Sequence, residues 1–207
     1  MRLIEPTMEY DEQIQAYRNE FDLNAGKKLA VIFPGMGYHK DKPLLYYAAK
    51  LVSAKGYEVF PVQYRDLPLN GKGSADRLRE VGNMCVAQTE EQLAGIDFDG
   101  YEKILFIGKS IGTVALAKYA ADHKIMAKQI WYTPVEATFS FGTKDALAFI
   151  GDADPFSDVG KIKRMATEMG ITLYTYPDCN HSLECGTVDR DLATLGDVMQ
   201  KTALLIQ

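Results

Sequence analysis

Histidine, cysteine and tryptophan are scarce in this 207-residue sequence, at three, three and one. Three cysteines, Cys85, Cys179 and Cys185, cannot all pair within one chain. The odd count argues for free thiols, a reducing compartment and a cytoplasmic protein rather than a secreted disulfide scaffold. A chain of this length buries roughly 70% of its unfolded surface and needs neither disulfide nor metal to fold. Long hydrophobic runs are missing too: the longest, such as Leu29–Phe33, cover about five residues against the ~20 that span a bilayer. The opening MRLIEPTMEYDEQ carries no apolar signal-peptide segment. No basic block is present, and 23 Lys and Arg against 28 Asp and Glu leave a net charge of −5. That balance speaks against binding nucleic acid through its phosphates.

What is present is an alternation of short apolar runs with longer amphipathic ones. Leu29–Pro34, Glu58–Tyr64, Ile104–Gly108, Gln129–Tyr132, Ala146–Ile150 and Ile171–Tyr176 read as strands. Their apolar character is nearly continuous, as in strands covered on both faces. Between them, Leu44, Leu45, Ala48, Leu51 and Val52 mark one helix, with Pro43 at its start and Gly56 as its stop. A second, capped by Ser74, carries Leu78, Val81, Cys85 and Leu93. Val114, Ala117 and Ala121 mark a third; Ile162, Met165 and Met169, ended by Gly170, a fourth; Leu192, Leu195, Val198 and Met199 a fifth. Strands alternating with such helices predict an α/β fold: one domain over 1–207 with a mostly parallel sheet and helices on both faces. Residues 1–22 stand outside this rhythm and read as an accessory N-terminal helix. Asp66–Gly73 reads as a loop that could form a lip over a site.

After the third strand comes Gly108-Lys109-Ser110-Ile111-Gly112, followed directly by a helix. A G-x-S-x-G turn between strand and helix pushes the serine above the sheet edge, and its glycines remove Cβ atoms that would block the turn. Seventeen glycines and the serines present give about 0.04 chance matches in such a chain. Ser110 as a plain helix N-cap is the competing reading. A phosphate-binding loop is disfavoured because Lys103 stands where its first glycine belongs. A dinucleotide fingerprint from Gly35 and Gly37 fails because Lys40 holds the third glycine position.

A serine needs a base to become a nucleophile. His123 lies at a helix end and reads as a surface residue, and His39 lies in a loop. His181, in a loop leaving the carboxyl end of the last strand, is the candidate base. A carboxylate must then hold the imidazole, and Asp152, Asp154 and Asp158 compete for that place. Asp154-Pro155 also describes a helix start. Cys179, His181 and Cys185 form C-x-H-x₃-C, a minor zinc alternative without a fourth ligand nearby.

The strand-plus-loop LAVIFPGMGY, the elbow GKSIG, the acid loop GDADP and the histidine loop NHSLE together resemble the serine-hydrolase branch of the α/β-hydrolases, from about Leu29 onward. The resemblance implies a six-stranded core in the order 2-1-3-4-5-6 without a cap domain. It implies a triad of Ser110, Asp154 and His181, with Asp152 as the fallback acid. It also implies an oxyanion hole from the backbone N–H groups of Ile111 and Met36, although Pro34-Gly35 stands where the family often has His-Gly. The family's two opening antiparallel strands are not visible. The expected activity is carboxylesterase-like hydrolysis of a small acyl substrate with no cofactor. Peptidase or thioesterase chemistry with the same residues, and a non-catalytic binding protein on the same fold, are the alternatives. Tyr38 and Phe139 are candidate substrate-binding residues, Phe156 a further pocket wall, and Glu136 and Glu184 more plainly surface carboxylates.

Overall fold

The computed structural model describes residues 27–68, 75–141, 143 and 145–206; within these, side chains of 75–79 are not described. The expected N-terminal accessory helix, the Ser74 cap and most of the Asp66–Gly73 lip lie outside the described residues.

Six strands form one sheet: β1 Lys28–Phe33, β2 Glu58–Pro61, β3 Lys103–Lys109, β4 Lys128–Tyr132, β5 Ala146–Gly151 and β6 Thr172–Tyr176. Every pairing is parallel and the order is β2-β1-β3-β4-β5-β6. The central strands are buried on both faces, which is why their sequences lack polar alternation. Helices α1 (Pro43–Ala54) and α5 (Val188–Leu205) cover one face; α2 (Ala75–Leu93), α3 (Ile111–Asp122) and α4 (Val159–Met169) cover the other.

Alternation within β3 divides the core between these layers. Phe106 points to the α2–α3 side, while Leu105 and Ile107 point to the α1–α5 side. Helix α1 starts on Pro43 and buries Leu44, Leu45, Ala48 and Val52, each larger aliphatic contributing roughly 2 kcal/mol. Helix α3 runs behind the central strands and buries Ile111 through Ala117 almost completely. Helix α4 is capped by Asp158, which accepts from Lys161 N at 2.9 Å, and ends on Gly170 at φ 69°.

Three details depart from the sequence reading. Ala121 and Leu192 are exposed, because α3 and α5 project past the core at those turns. The second strand stops at Pro61 rather than Tyr64. Beyond it the edge backbone is held by side chains of α2: Gln63 N and O bond the Gln92 amide at 2.9 and 2.8 Å, and Arg65 N and O bond the Gln88 amide at 2.8 and 2.9 Å. Two glutamines thus take the place of a neighbouring strand and satisfy backbone groups that an edge would leave open.

Strand order reverses between β2–β1 and β3, so β1 and β3 feed loops in opposite directions. The crevice between those loops is where sites form in open α/β sheets.

Candidate active site

The elbow at Ser110 is built by close packing. A Cβ on Gly112 would lie 2.3 Å from Phe33 O, and one on Gly108 would lie 2.3 Å from Leu116 Cδ2. Only glycine lets α3 start this close to β1 and β3. Ser110 itself sits at φ 54°, ψ −122°, a strained backbone for a residue with a side chain. Its main chain is anchored by Ser110 N donating to Tyr132 O at 3.0 Å. Although Ser110 occupies the N-cap position, its hydroxyl makes no capping bond.

That hydroxyl instead meets His181, with Oγ 2.7 Å from Nε2, and His181 Nδ1 lies 2.7 Å from Asp154 Oδ2. Asp154 as a carboxylate only accepts, so Nδ1 carries the proton and Nε2 is left to accept from Ser110. Residues 110, 154 and 181 come from the ends of β3, β5 and β6. Their side chains are shielded: Asp154 is 0% exposed and His181 17%. Burial pulls the His181 pKa below its ordinary value; the Asp154 hydrogen bond opposes this and the Lys109 charge adds to it.

The three competing aspartates have separate roles. Asp154 Oδ1 accepts from Phe156 N at 2.9 Å while Oδ2 faces His181. Asp152 Oδ1 accepts from Asp178 N at 2.6 Å, and Asp158 caps α4. The helix start expected at Asp154 therefore falls at Asp158, which leaves the Asp154 carboxylate for the imidazole.

The histidine loop is brought in by Gly151, where a Cβ would sit 2.0 Å from Cys179 O. Within the loop, the Asn180 side chain accepts from Ser182 N and Glu184 N, and Asn180 N donates to Glu184 O. This turn brings the Cα atoms of Cys179 and Cys185 to 4.3 Å, and the two residues form a disulfide. The expectation of free thiols is thus corrected: only Cys85 is free and buried. An odd count reveals nothing about a local pairing set by one turn, so it no longer supports a reducing compartment. The zinc reading falls as well, since the sulfurs bond each other and both imidazole nitrogens are occupied.

Met36 lies in the turn after β1, which is closed by Gly35 N to Tyr38 O and Tyr38 N to Gly35 O at 3.0 and 3.1 Å. A Cβ on Gly35 would meet Ser110 Cβ at 3.3 Å, so this turn lies against the elbow. Among the described residues, neither Met36 N nor Ile111 N donates a hydrogen bond.

Phe139 is not an open pocket wall: it is buried edge-to-face on Trp131, with ring centroids 5.3 Å apart. Its 3-10 turn, Glu136–Phe141, folds onto α3 and turns the ring into the core. Tyr38 is also buried, and its phenolic oxygen accepts from Leu44 N at 3.1 Å. Phe156 is 65% exposed, and its ring stands 4.9 Å from the His181 imidazole. His39 is exposed beside Asp41, and His123 pairs with Glu90 at the other end of α3.

Lys109, to which the elbow motif assigns no role, is 1% exposed. Its signal was strand alternation: Leu105, Ile107 and Lys109 fall on one face, so the lysine is directed inward. No described helix is long and apolar enough to cross a membrane.

No family model matches this sequence, and no curated protein does so either. Solved structures do. An α/β serine hydrolase homologue from Coxiella burnetii superposes with a TM-score of 0.62 at 17% identity, over 86% of this chain and 87% of that one. Est1E from Butyrivibrio proteoclasticus gives 0.61 at 14% identity, over 89% and 90%. A dienelactone hydrolase from Anabaena variabilis gives 0.62 at 15%, over 87% and 86%. Taken with the sheet order and the elbow between β3 and α3, these likenesses show that the chain has the α/β-hydrolase fold.

Proposed function

We propose that this protein is a serine hydrolase that cleaves a carboxylic ester or related small acyl substrate through Ser110, His181 and Asp154. The observation that carries the reading is the continuous line of two 2.7 Å contacts, from carboxylate to imidazole to a serine held at φ 54°.

His181 Nε2 takes the Ser110 proton as Oγ attacks the substrate carbonyl. The carbonyl π electrons move onto oxygen, where the Met36 and Ile111 N–H groups are available to donate to it. When the tetrahedral intermediate collapses, the bond to the leaving group breaks and the imidazolium returns its proton to that group. Water, deprotonated by the same imidazole, then releases the acid and restores the serine. Asp154 holds the imidazole in the tautomer this sequence needs and balances the transient positive charge.

The ester class is supported by the names of two structural neighbours, a dienelactone hydrolase and Est1E, the latter also solved with ferulic acid bound. Phe156, exposed and with its ring 4.9 Å from the imidazole, offers an apolar wall beside the base and so favours esters with an apolar or aromatic group.

The test is labelling with a fluorophosphonate and location of the adduct by mass spectrometry, alongside hydrolysis of acyl esters, acyl thioesters and aminoacyl amides. The expected result is an adduct on Ser110, burst kinetics with activated esters, and loss of both in Ser110→Ala. A chain that neither reacts nor turns over any of the three substrate classes refutes the proposal; preference for thioesters or amides reassigns the bond.

A further inference from the structure

The Cys179–Cys185 disulfide joins two residues six apart in sequence, and His181 lies between them. Each cysteine is fixed to a different part of the molecule. Cys179 is 1% exposed, and its carbonyl accepts from Ala153 N at 3.1 Å while packing against Gly151. This end of the loop is therefore held at the rim of β5, beside Asp154. Cys185 stands at the other end. Its N–H donates to Asp191 Oδ1, and its sulfur lies 3.4 Å from Thr194 Oγ1, both on α5. The disulfide thus ties the α5 end of the loop to the β5 end, with His181 on the segment that it closes.

The closed segment is not in a relaxed conformation. Leu183 stands at φ 59°, a left-handed backbone that a leucine adopts only at a cost. Such a residue persists where its surroundings over-determine it. Burial of the Leu183 side chain and the hydrogen bonds of Asn180 favour this shape. Asn180 is exposed, however, so water competes for its bonds. The crosslink is the covalent part of the constraint, and closing so short a loop removes many of its conformations.

We propose that this disulfide is a redox switch on the base: oxidised, it holds His181 in line with Ser110 and Asp154, and reduced by a dithiol, it releases the loop and stops the reaction. The consequence rests on the hydrolase reading, whereas the cause rests on the loop alone. One thiolate of the dithiol attacks the sulfur of Cys185, which is half-buried and so more accessible than Cys179. The S–S bond breaks, and Cys179 leaves as a thiolate that then takes a proton. Thr194 Oγ1, 4.0 Å from the Cys179 sulfur, is at hand to donate to that thiolate. The second thiol of the reductant attacks the mixed disulfide and frees Cys185. Two electrons and two protons pass to the protein, and the dithiol departs as a disulfide.

The experiment treats the intact protein with dithiothreitol and counts thiols by alkylation and mass spectrometry. Circular dichroism reports the fold, and two readouts report the site: kcat/KM on an activated ester and the imidazole resonances of His181 in NMR. Reduction of the pair is expected to lower kcat/KM roughly tenfold or more, since about 1 Å of misplacement can cost 10²-fold. The His181 resonances should move, and oxidised glutathione should restore both readouts. The double variant Cys179→Ser, Cys185→Ser should have the low activity of the reduced protein and ignore dithiothreitol, which separates the pair from Cys85. Complete reduction that leaves either readout unchanged overturns the proposal. So does a response to dithiothreitol that persists in the double variant, or reduction that unfolds the whole chain. If the double variant does not fold, Cys85→Ser serves as the control: it should respond as the unsubstituted protein does, and loss of the response overturns the proposal. A chain that hydrolyses nothing in either state, yet shifts its His181 resonances on reduction, loses the hydrolase reading and keeps the switch.

Discussion

Two histidine–carboxylate pairs stand at opposite rims of one sheet with the same separation. His181 meets Asp154 at 2.7 Å where the strands end, and His123 meets Glu90 at 2.7 Å where they begin. The second pair even borders a recess of about 680 Å³, lined by Tyr101, Tyr119 and several acidic residues. Its side chains are nevertheless 43% and 39% exposed, and its imidazole packs on Tyr119 with no nucleophile in contact. At the carboxyl rim the carboxylate is fully shielded and the far nitrogen faces a serine on strained backbone. A short hydrogen bond thus does not make a site. Burial, which strengthens the pair, and a third group on the free nitrogen separate the proposed catalytic geometry from a surface contact worth at most about 1 kcal/mol.

Substitution of the two histidines tests this contrast most severely. His181→Ala should lower kcat/KM on an activated ester by roughly 10⁴-fold or more, whereas His123→Ala should leave it within about twofold, since exposed pairs contribute little. Equal losses would break the comparison. The carboxylates come next: Asp154→Asn should cost roughly 10³- to 10⁴-fold in kcat by unsettling the imidazole tautomer, and Glu90→Gln should cost almost nothing by the same assay.

The glycines sharpen the contrast at the level of the fold. Gly151→Ala drives a methyl group into Cys179 O and should destabilise the protein by about 3 kcal/mol in denaturant titration, displacing the His181 loop and its activity with it. Gly95→Ala, with open space around its Cβ, should change stability by less than about 0.5 kcal/mol. The smallest effect is in pH. Burial holds the His181 pKa below its ordinary 6.5, so the base loses its proton earlier as pH rises. The acid limb of kcat/KM should therefore fall below pH 6.5; a limb above it would mean that the carboxylate outweighs burial and Lys109 together.

Much of this arrangement is legible along the chain. The near-continuous apolar runs predict a parallel sheet covered on both faces, whereas its strand order is implied by the family resemblance of its motifs. GKSIG between strand and helix marks Ser110, and the histidine loop after the last strand marks His181. The acid was less determinate, because Asp152, Asp154 and Asp158 stand within one loop and each can cap or turn it. Phe139 and the cysteines misled for related reasons. An aromatic in a connecting segment looks the same whether it lines a pocket or plugs a core. Two cysteines six residues apart look the same whether the turn between them opens or closes.

What the chain determined by itself was periodicity and local chemistry: which stretches alternate, where a turn demands glycine, which side chains can exchange a proton. Those properties depend on neighbours a few residues away, and the order of residues contains them. Packing alone decided which carboxylate the imidazole touches, that Lys109 is shut in beneath Tyr38, and that Gly151 admits the Cys179 backbone. Each of these contacts joins segments far apart along the chain, and its existence depends on how strands and helices pack, which local sequence does not specify.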